Sequence, residues 1–200
     1  MTRIGIYGGT FSPPHNGHLK AAKAFMEQMW LDILYVIPTF VPPHKEMECV
    51  VSAEHRLNMC RLAFSEMEGV YVSDLEIRRG GTSYTVDTLQ ELSGEDRRLF
   101  LLCGTDMVLT LDQWRSPERI FELSYPVYIR RERDPLLDAK IIQKIGEYQT
   151  KYGKMVRKIV TEPLELSSNE VRRCLLYGKP ITDKVPFAVE KYIHDNHLYV

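Results

Sequence analysis

Short apolar runs alternate along this chain with longer segments in which apolar residues recur at helical spacing. Ile4–Tyr7, Ile33–Ile37 and Leu99–Cys103 are uniformly apolar and short, so they read as buried strands. Pro38 ends the second run and Gly104 the third. Val70–Val72 and Leu75–Ile77 read as extended, Pro126–Arg131 as a fifth strand and Val156–Val160 as a sixth. Helical periodicity predicts helices from about Asn16 to Met29, from Ser52 through Leu57, Cys60, Leu62 and Phe64, and over Thr85–Leu92. Shorter helices are predicted over Asp106–Leu111, Pro117–Leu123, Ser168–Leu176 and Pro186–His194. Ser52 is of the type that caps a helix N-terminus. The charged stretch Glu132–Lys154 reads as a solvated helical excursion. Strand–helix alternation of this kind predicts an α/β fold, a parallel sheet with helices on both faces. Ligands of such sheets bind beyond the carboxyl ends of the strands. The segments that stand out chemically fall there: after Tyr7, after Ile37, after Cys103 and after Val160.

Composition narrows the class. At 200 residues the chain suits a single domain, 1–200, whose last part, from about residue 165, is helical. A hydrophobic content of 44% and a charged content of 26% fit a soluble globular protein rather than a disordered one. The net charge of −1 provides no global basic field, so nucleic acid is not an expected partner. No apolar run is long enough for a membrane span, and Met1-Thr2-Arg3 leads straight into a strand pattern without a signal peptide. Cys49, Cys60, Cys103 and Cys174 form no CxxC pair, which favours reduced thiols and a cytoplasmic location. The sequence leaves a homo-oligomer open.

The segment after the first strand is Gly8-Gly9-Thr10-Phe11-Ser12-Pro13-Pro14-His15-Asn16-Gly17-His18. A strand, a glycine turn and a helix N-terminus make an anion site, because first-turn N–H groups lack partners and the helix dipole favours negative charge. Adjacent glycines let the backbone approach a phosphate closely. His15 and His18, three apart, share one helical face at the mouth of that site. The pattern is neither the GxxxxGK[ST] loop nor the dinucleotide GxGxxG turn. Two histidines at this spacing also suit a metal, but no third ligand lies nearby in sequence.

Four further segments carry polar groups at strand ends. Pro38-Thr39-Phe40-Val41-Pro42-Pro43-His44-Lys45 is a stiff loop ending in a cation suited to polyphosphate, or an ordinary Pro-rich loop with an exposed lysine. Gly81-Thr82-Ser83-Tyr84-Thr85 leads into a helix that Ser83 or Thr82 can cap, leaving first-turn amides for a carboxylate or a phosphate. In Gly104-Thr105-Asp106, Asp106 can accept from ribose hydroxyls or act as an N-cap; Trp114 can stack on a flat ring or sit in the core. Leu166-Ser167-Ser168-Asn169-Glu170-Val171-Arg172 offers a second helix N-terminus, with Ser168 as cap and Arg172 one turn on.

The first segment resembles the HxGH signature of the nucleotidylyltransferase superfamily, and its fuller form, GGTFxPPHxGHL, that of the bacterial nicotinate-nucleotide adenylyltransferase family. The later segments PxxxPPHK, SYTxxTL, GTDxxxxxxxW and LSSxxVR resemble further blocks of that family in order, so the likeness spans nearly the whole chain. Ser12 stands where the family often has Asp, and Thr39 where it often has Asn. The resemblance implies a Rossmann-like nucleotidylyltransferase fold and transfer of AMP from ATP to nicotinate mononucleotide, with release of pyrophosphate, in NAD biosynthesis. It implies His15, His18, Lys45 and Arg172 as the catalytic set. The ATP site would comprise Gly8, Gly9, Thr10, Phe11, His15, His18, Gly104, Asp106, Ser167, Ser168 and Arg172. The nicotinate-nucleotide site would comprise Thr39, Lys45, Ser83, Tyr84, Thr85 and Trp114. Mg²⁺ would enter on the oxygens of ATP, with no ligand from the protein. Two alternatives stand beside this one. Pantetheine-phosphate adenylyltransferase shares the HxGH chemistry but does not explain SYTxxTL and Trp114. A module that senses ATP without turning it over does not explain two intact histidines and Arg172.

Overall fold

The computed structural model describes residues 1–43, 51–130, 135–161 and 166–199. Six strands, β1 (Thr2–Gly9), β2 (Ile33–Pro38), β3 (Val70–Val72), β4 (Arg97–Cys103), β5 (Ser124–Ile129) and β6 (Arg157–Ile159), form one sheet in the order β3-β2-β1-β4-β5-β6. Every strand pair is parallel. The helices are α1 (Asn16–Gln28), α2 (Ala53–Phe64), α3 (Leu75–Arg79), α4 (Thr85–Leu92), α5 (Thr105–Thr110), α6 (Pro117–Leu123), α7 (Pro135–Tyr152), α8 (Ser168–Leu176) and α9 (Phe187–Asp195).

Strand alternation divides the core in two. Tyr7, Leu34, Val36, Phe100 and Leu102 face a layer containing Phe25, Met59, Phe64, Val171, Val189 and Ile193, from α1, α2, α8 and α9. Ile4, Ile6, Ile37, Leu99, Leu101 and Cys103 face the opposite layer, with Leu89, Val108, Phe121, Ile141 and Tyr148 from α4 to α7. Successive strand residues point to opposite faces, so neighbours such as Phe100 and Leu101 serve different cores. From β1 the chain winds outward through β2 to β3, then returns to β4 beside β1 and winds the other way. β1 and β4 therefore flank a topological switch point, and ligands of such sheets bind beyond the carboxyl ends of the strands at that point.

Several boundaries differ from the pattern of the sequence. Gly8 and Gly9 pair with Ile37 and Pro38, so they end β1 rather than form a turn beyond it. Leu75–Ile77 is not extended: it belongs to α3, which buries the adjacent Leu75 and Glu76 and pairs Arg78 with Asp74 at 2.8 Å. An apolar–polar–apolar triplet imitates a strand, and five helical residues are too few to display a 3.6 period. β5 starts two residues before Pro126 and stops at Ile129, while Arg131 lies outside the described residues. β6 is only Arg157–Ile159. α7 is more than a solvated excursion: Ile141 and Tyr148 are buried in the second core, and the Tyr148 hydroxyl donates to the Val108 carbonyl at 2.8 Å. Among the described residues no helix is long and apolar enough to cross a membrane.

Candidate active site at the carboxyl ends of β1, β2 and β4

The end of β1 is shaped by its two glycines in different ways. A Cβ on Gly9 would lie 3.0 Å from the Phe11 ring, so Gly9 makes room for Phe11. A Cβ on Gly8 would meet no heavy atom within 4 Å, so that side of the strand end is open. Phe11 sits in the left-handed region, at φ 50°, with its ring buried against Tyr7 and edge-on to His18 at 4.9 Å between centroids. A left-handed non-glycine residue costs energy, which the packing of this ring offsets. Of Phe11, then, only the backbone is left for a ligand; the side chain positions His18.

His15 is the N-cap of α1, and its Nδ1 accepts from the Gly17 N–H at 3.2 Å. The His18 Nδ1 in turn accepts from the His15 N–H at 3.0 Å. The two rings lie 3.7 Å apart, with 2% and 8% of each residue exposed. An Nδ1 that accepts a hydrogen bond cannot carry a proton, so each neutral ring bears its proton on Nε2. In both residues Nδ1 serves the helix start, which leaves Nε2 as the protonated nitrogen of the neutral ring.

A second helix closes on the same loop. Ser167, not Ser168, is the N-cap of α8, its Oγ accepting from the Glu170 N–H at 3.2 Å. The Ser168 hydroxyl donates to the Pro13 carbonyl at 2.9 Å, and the Arg172 guanidinium donates to the Ser12 carbonyl at 2.5 Å and to the Asn169 side chain. Two adjacent serines can both cap, and which one does is fixed by this contact with Pro13, distant in sequence. The Ser12 hydroxyl is buried against that of Tyr199 at 3.0 Å.

The third component lies beside β2. The Thr39 N–H donates to the Gly9 carbonyl at 2.9 Å, continuing the pairing of β1 and β2, while its buried Oγ1 has no hydrogen-bond partner among the described residues. The Ser83 N–H donates to the Val41 carbonyl at 2.8 Å, and the Ser83 Oγ accepts from the Phe40 N–H at 2.9 Å. Neither Ser83 nor Thr82 therefore caps α4; its N-cap is Tyr84, with no side-chain cap bond. Among the described residues no side chain caps the first-turn amides of α4, an arrangement that suits an anionic ligand. Arg115 lies over the Tyr84 ring at 4.5 Å, which joins the start of α4 to the turn holding the half-buried Trp114. Gly104 is the N-cap of α5, and Asp106 is exposed within its first turn rather than capping it. Lys45 and His44 lie outside the described residues.

Two buried charged residues behind these loops escaped the sequence reading. Arg56 on α2 is completely buried and donates to the carbonyls of Thr10 at 2.9 Å, Phe40 at 3.1 Å and Val51 at 3.2 Å. Burial pulls its pKa below that of an ordinary arginine. Glu76 on α3 is buried beneath Ser83 and Thr88, and its Oε1 accepts from the Thr88 hydroxyl at 2.6 Å. Burial pushes the Glu76 carboxyl up, with Thr88, Ser83 and Arg79 partly offsetting it. A charge on the inner face of its helix, where an apolar residue is expected, is the only signal either gave in sequence.

The starts of α1, α4 and α8 lie at these strand ends, with His15 and His18 on the first and Ser168 and Arg172 on the third. That suits transfer between phosphates, whose oxygens are nucleophilic without proton removal, and it places the protein among the α/β nucleotidyltransferases. The cytidylyltransferase-like family profile matches residues 6–174. The protein named "probable nicotinate-nucleotide adenylyltransferase" of Desulfatibacillum aliphaticivorans is 36% identical over 217 aligned positions, covering 99% of this chain and all of the relative. Its namesake in Lachnoclostridium phytofermentans is 34% identical, with full coverage of both chains. In fold, the chain is similar to the Plasmodium falciparum nicotinic acid mononucleotide adenylyltransferase complexed with NaAD. The TM-score is 0.76 at 20% identity, over 100% of this chain and 98% of the other. The chain belongs to the nicotinate-nucleotide adenylyltransferase family.

Proposed function

We propose that the site beyond β1, β2 and β4 transfers AMP from ATP to nicotinate mononucleotide, giving nicotinate adenine dinucleotide and pyrophosphate. The relatives' names and the NaAD in the Plasmodium neighbour support the substrates. An oxygen of the mononucleotide phosphate attacks the α-phosphorus of ATP in line, and the bond from that phosphorus to the bridging oxygen breaks as pyrophosphate leaves. Two anions must be brought together, so positioning contributes much of the rate, on the order of 7–11 kcal/mol in favourable systems. Donors aimed at the α-phosphoryl oxygens contribute much of the rest.

His18 Nε2–H serves the α-phosphate, and His15 Nε2–H an adjacent phosphate. Gly8, Gly9, Thr10 and the Phe11 backbone form the floor. Arg172, Ser168 and the α8 N-terminus, with Lys45, hold the polyphosphate; Ser167 supports them by capping α8. Gly104 and Asp106 take the ribose of ATP. Thr39, Ser83, Tyr84, Thr85 and Trp114, with Lys45, form the pyridine-nucleotide side, with ring stacking on Trp114 and the carboxylate at the α4 amides. Of these side chains only Asp106 is negative, and no group of three His, Cys, Asp or Glu among the described residues could hold a metal ion. That donor set fits Mg²⁺ carried on phosphate oxygens and water rather than in a protein cage. When bound, the ion neutralises charge on the leaving pyrophosphate.

The observation that carries this reading is the pair of Nδ1 acceptors, which leaves the proton of each neutral ring on Nε2 in two histidines that directly follow the β1 loop. The test is turnover with MgATP and each of nicotinate mononucleotide, nicotinamide mononucleotide, phosphopantetheine or no acceptor. Equimolar dinucleotide and pyrophosphate with the first is expected. Preferential turnover of phosphopantetheine, or ATP binding without turnover, would replace the proposal.

A further inference from the structure

We infer that Arg56 is a positioning residue that couples the two substrate subsites, its guanidinium joining the phosphate loop after β1 to the acceptor loop after β2. The inference rests on the functional reading above. Its geometry does not. Arg56 donates from Nη1 to Thr10, from Nη2 to Phe40 and from Nε to Val51, so one planar group ties three chain segments together. Thr10 belongs to the segment that presents His15 and His18, and Phe40 follows Thr39 at the acceptor side. The Phe40 peptide is held at both ends, its carbonyl by Arg56 and its N–H by Ser83 at the start of α4. A shift of the phosphate loop on binding ATP is thereby passed to the residues assigned to the mononucleotide.

The charge of Arg56 has no local reason. Among the described residues it makes no ion pair, and the ionisable groups close enough to act on it are Cys60 and Tyr199. An apolar side chain would fill a core position at less cost than a desolvated guanidinium. What the guanidinium supplies instead is a rigid fork of donors with fixed directions. Lysine keeps the charge but cannot reach three carbonyls in three directions.

The experiment compares wild type, Arg56→Lys and Arg56→Gln with Ile193→Ala. Ile193 is buried in α9, within the same core layer as α2, and belongs to neither loop. Binding of nicotinate mononucleotide is titrated by calorimetry with and without a non-hydrolysable ATP analogue, and thermal melting is followed in parallel. Wild type is expected to bind the mononucleotide more tightly when the analogue is present. In both Arg56 variants that enhancement should fall to near onefold and the KM for the mononucleotide should rise, by roughly tenfold for one charged hydrogen bond lost. Ile193→Ala should melt earlier with its enhancement intact. An Arg56→Lys enzyme that melts earlier yet keeps wild-type enhancement would make the residue structural only and overturn the inference. Wild type that binds both ligands without any enhancement would also overturn it. Wild type that binds the analogue but never the mononucleotide would overturn the acceptor assignment, and the inference with it.

Discussion

Gly8→Ala separates folding from catalysis more cleanly than any change of a charged residue. Gly8 is in strand β1 with no left-handed φ, so an L-residue fits its backbone. The added Cβ meets no protein atom within 4 Å. Alanine restricts the unfolded chain more than glycine does, which should stabilise the protein by about 0.4–1 kcal/mol. For a chain of this size that raises Tm by about 1–4 °C. The methyl leaves the same face of β1 as Ile4 and Ile6, at the strand end proposed to take the phosphates of ATP. A displacement of about 1 Å at a reacting centre can cost about 100-fold. The expected variant is therefore at least as stable as wild type and about 100-fold slower in kcat/KM for ATP. Gly9→Ala gives the contrast: its Cβ would sit 3.0–3.1 Å from the Phe11 ring, so both stability and activity should fall, stability by about 1–3 kcal/mol. Thermal melting and steady-state pyrophosphate release check both. Wild-type turnover in Gly8→Ala would show that no phosphate lies against this strand end.

Three other outcomes are expected. His18→Ala should lower kcat by about 10²–10³ with a much smaller change in ATP binding, since a donor to the transition state is lost, and should cost about 1 kcal/mol of stability as the α1 cap loosens; kinetics and melting measure both. Nicotinate mononucleotide should exceed nicotinamide mononucleotide by at least about tenfold in kcat/KM, because the uncapped amides of α4 only donate and an amide group would leave a mismatch of about 1–3 kcal/mol; equal values would refute the carboxylate assignment. Glu76 carries a raised pKa, so its protonated form is favoured by the fold: its contribution is fully present below the ordinary glutamate pKa and is lost as pH rises through the raised value. Glu76→Gln should accordingly lose less stability than wild type on going from pH 4 to pH 8, measured by denaturant unfolding at each pH.

How far the sequence announced this site depends on how local each interaction is. The β1–α1 signature was legible because strand, glycines and histidines are contiguous, but His15 is the extended N-cap of α1 rather than a residue of its face, so the two histidines meet through a capping box and not through helical spacing. The parallel sheet with helices on both faces followed from the alternation of short apolar runs with helices; the strand order β3-β2-β1-β4-β5-β6 did not. What could not be read involves partners far apart in the chain. Ser168 and Arg172 bond the Pro13 and Ser12 carbonyls, so the side chains proposed to hold polyphosphate also hold the first loop. Ser83 looked like a cap, but the Phe40 N–H reaches it first. Phe11 looked like a residue for ATP, yet its ring belongs to the core. Arg56 sits among Leu57, Met59 and Cys60, and nothing in that stretch shows that Thr10 and Phe40 lie above it.

The central claim is direct transfer to the mononucleotide by a site whose histidines donate and never attack. The most direct test is the stereochemistry at the α-phosphorus, followed with ATP made chiral there by one sulfur substitution. A single in-line displacement predicts inversion in the dinucleotide. Retention would require two displacements, placing an adenylyl group on an imidazole Nε2 or another side chain in between, and would contradict the account.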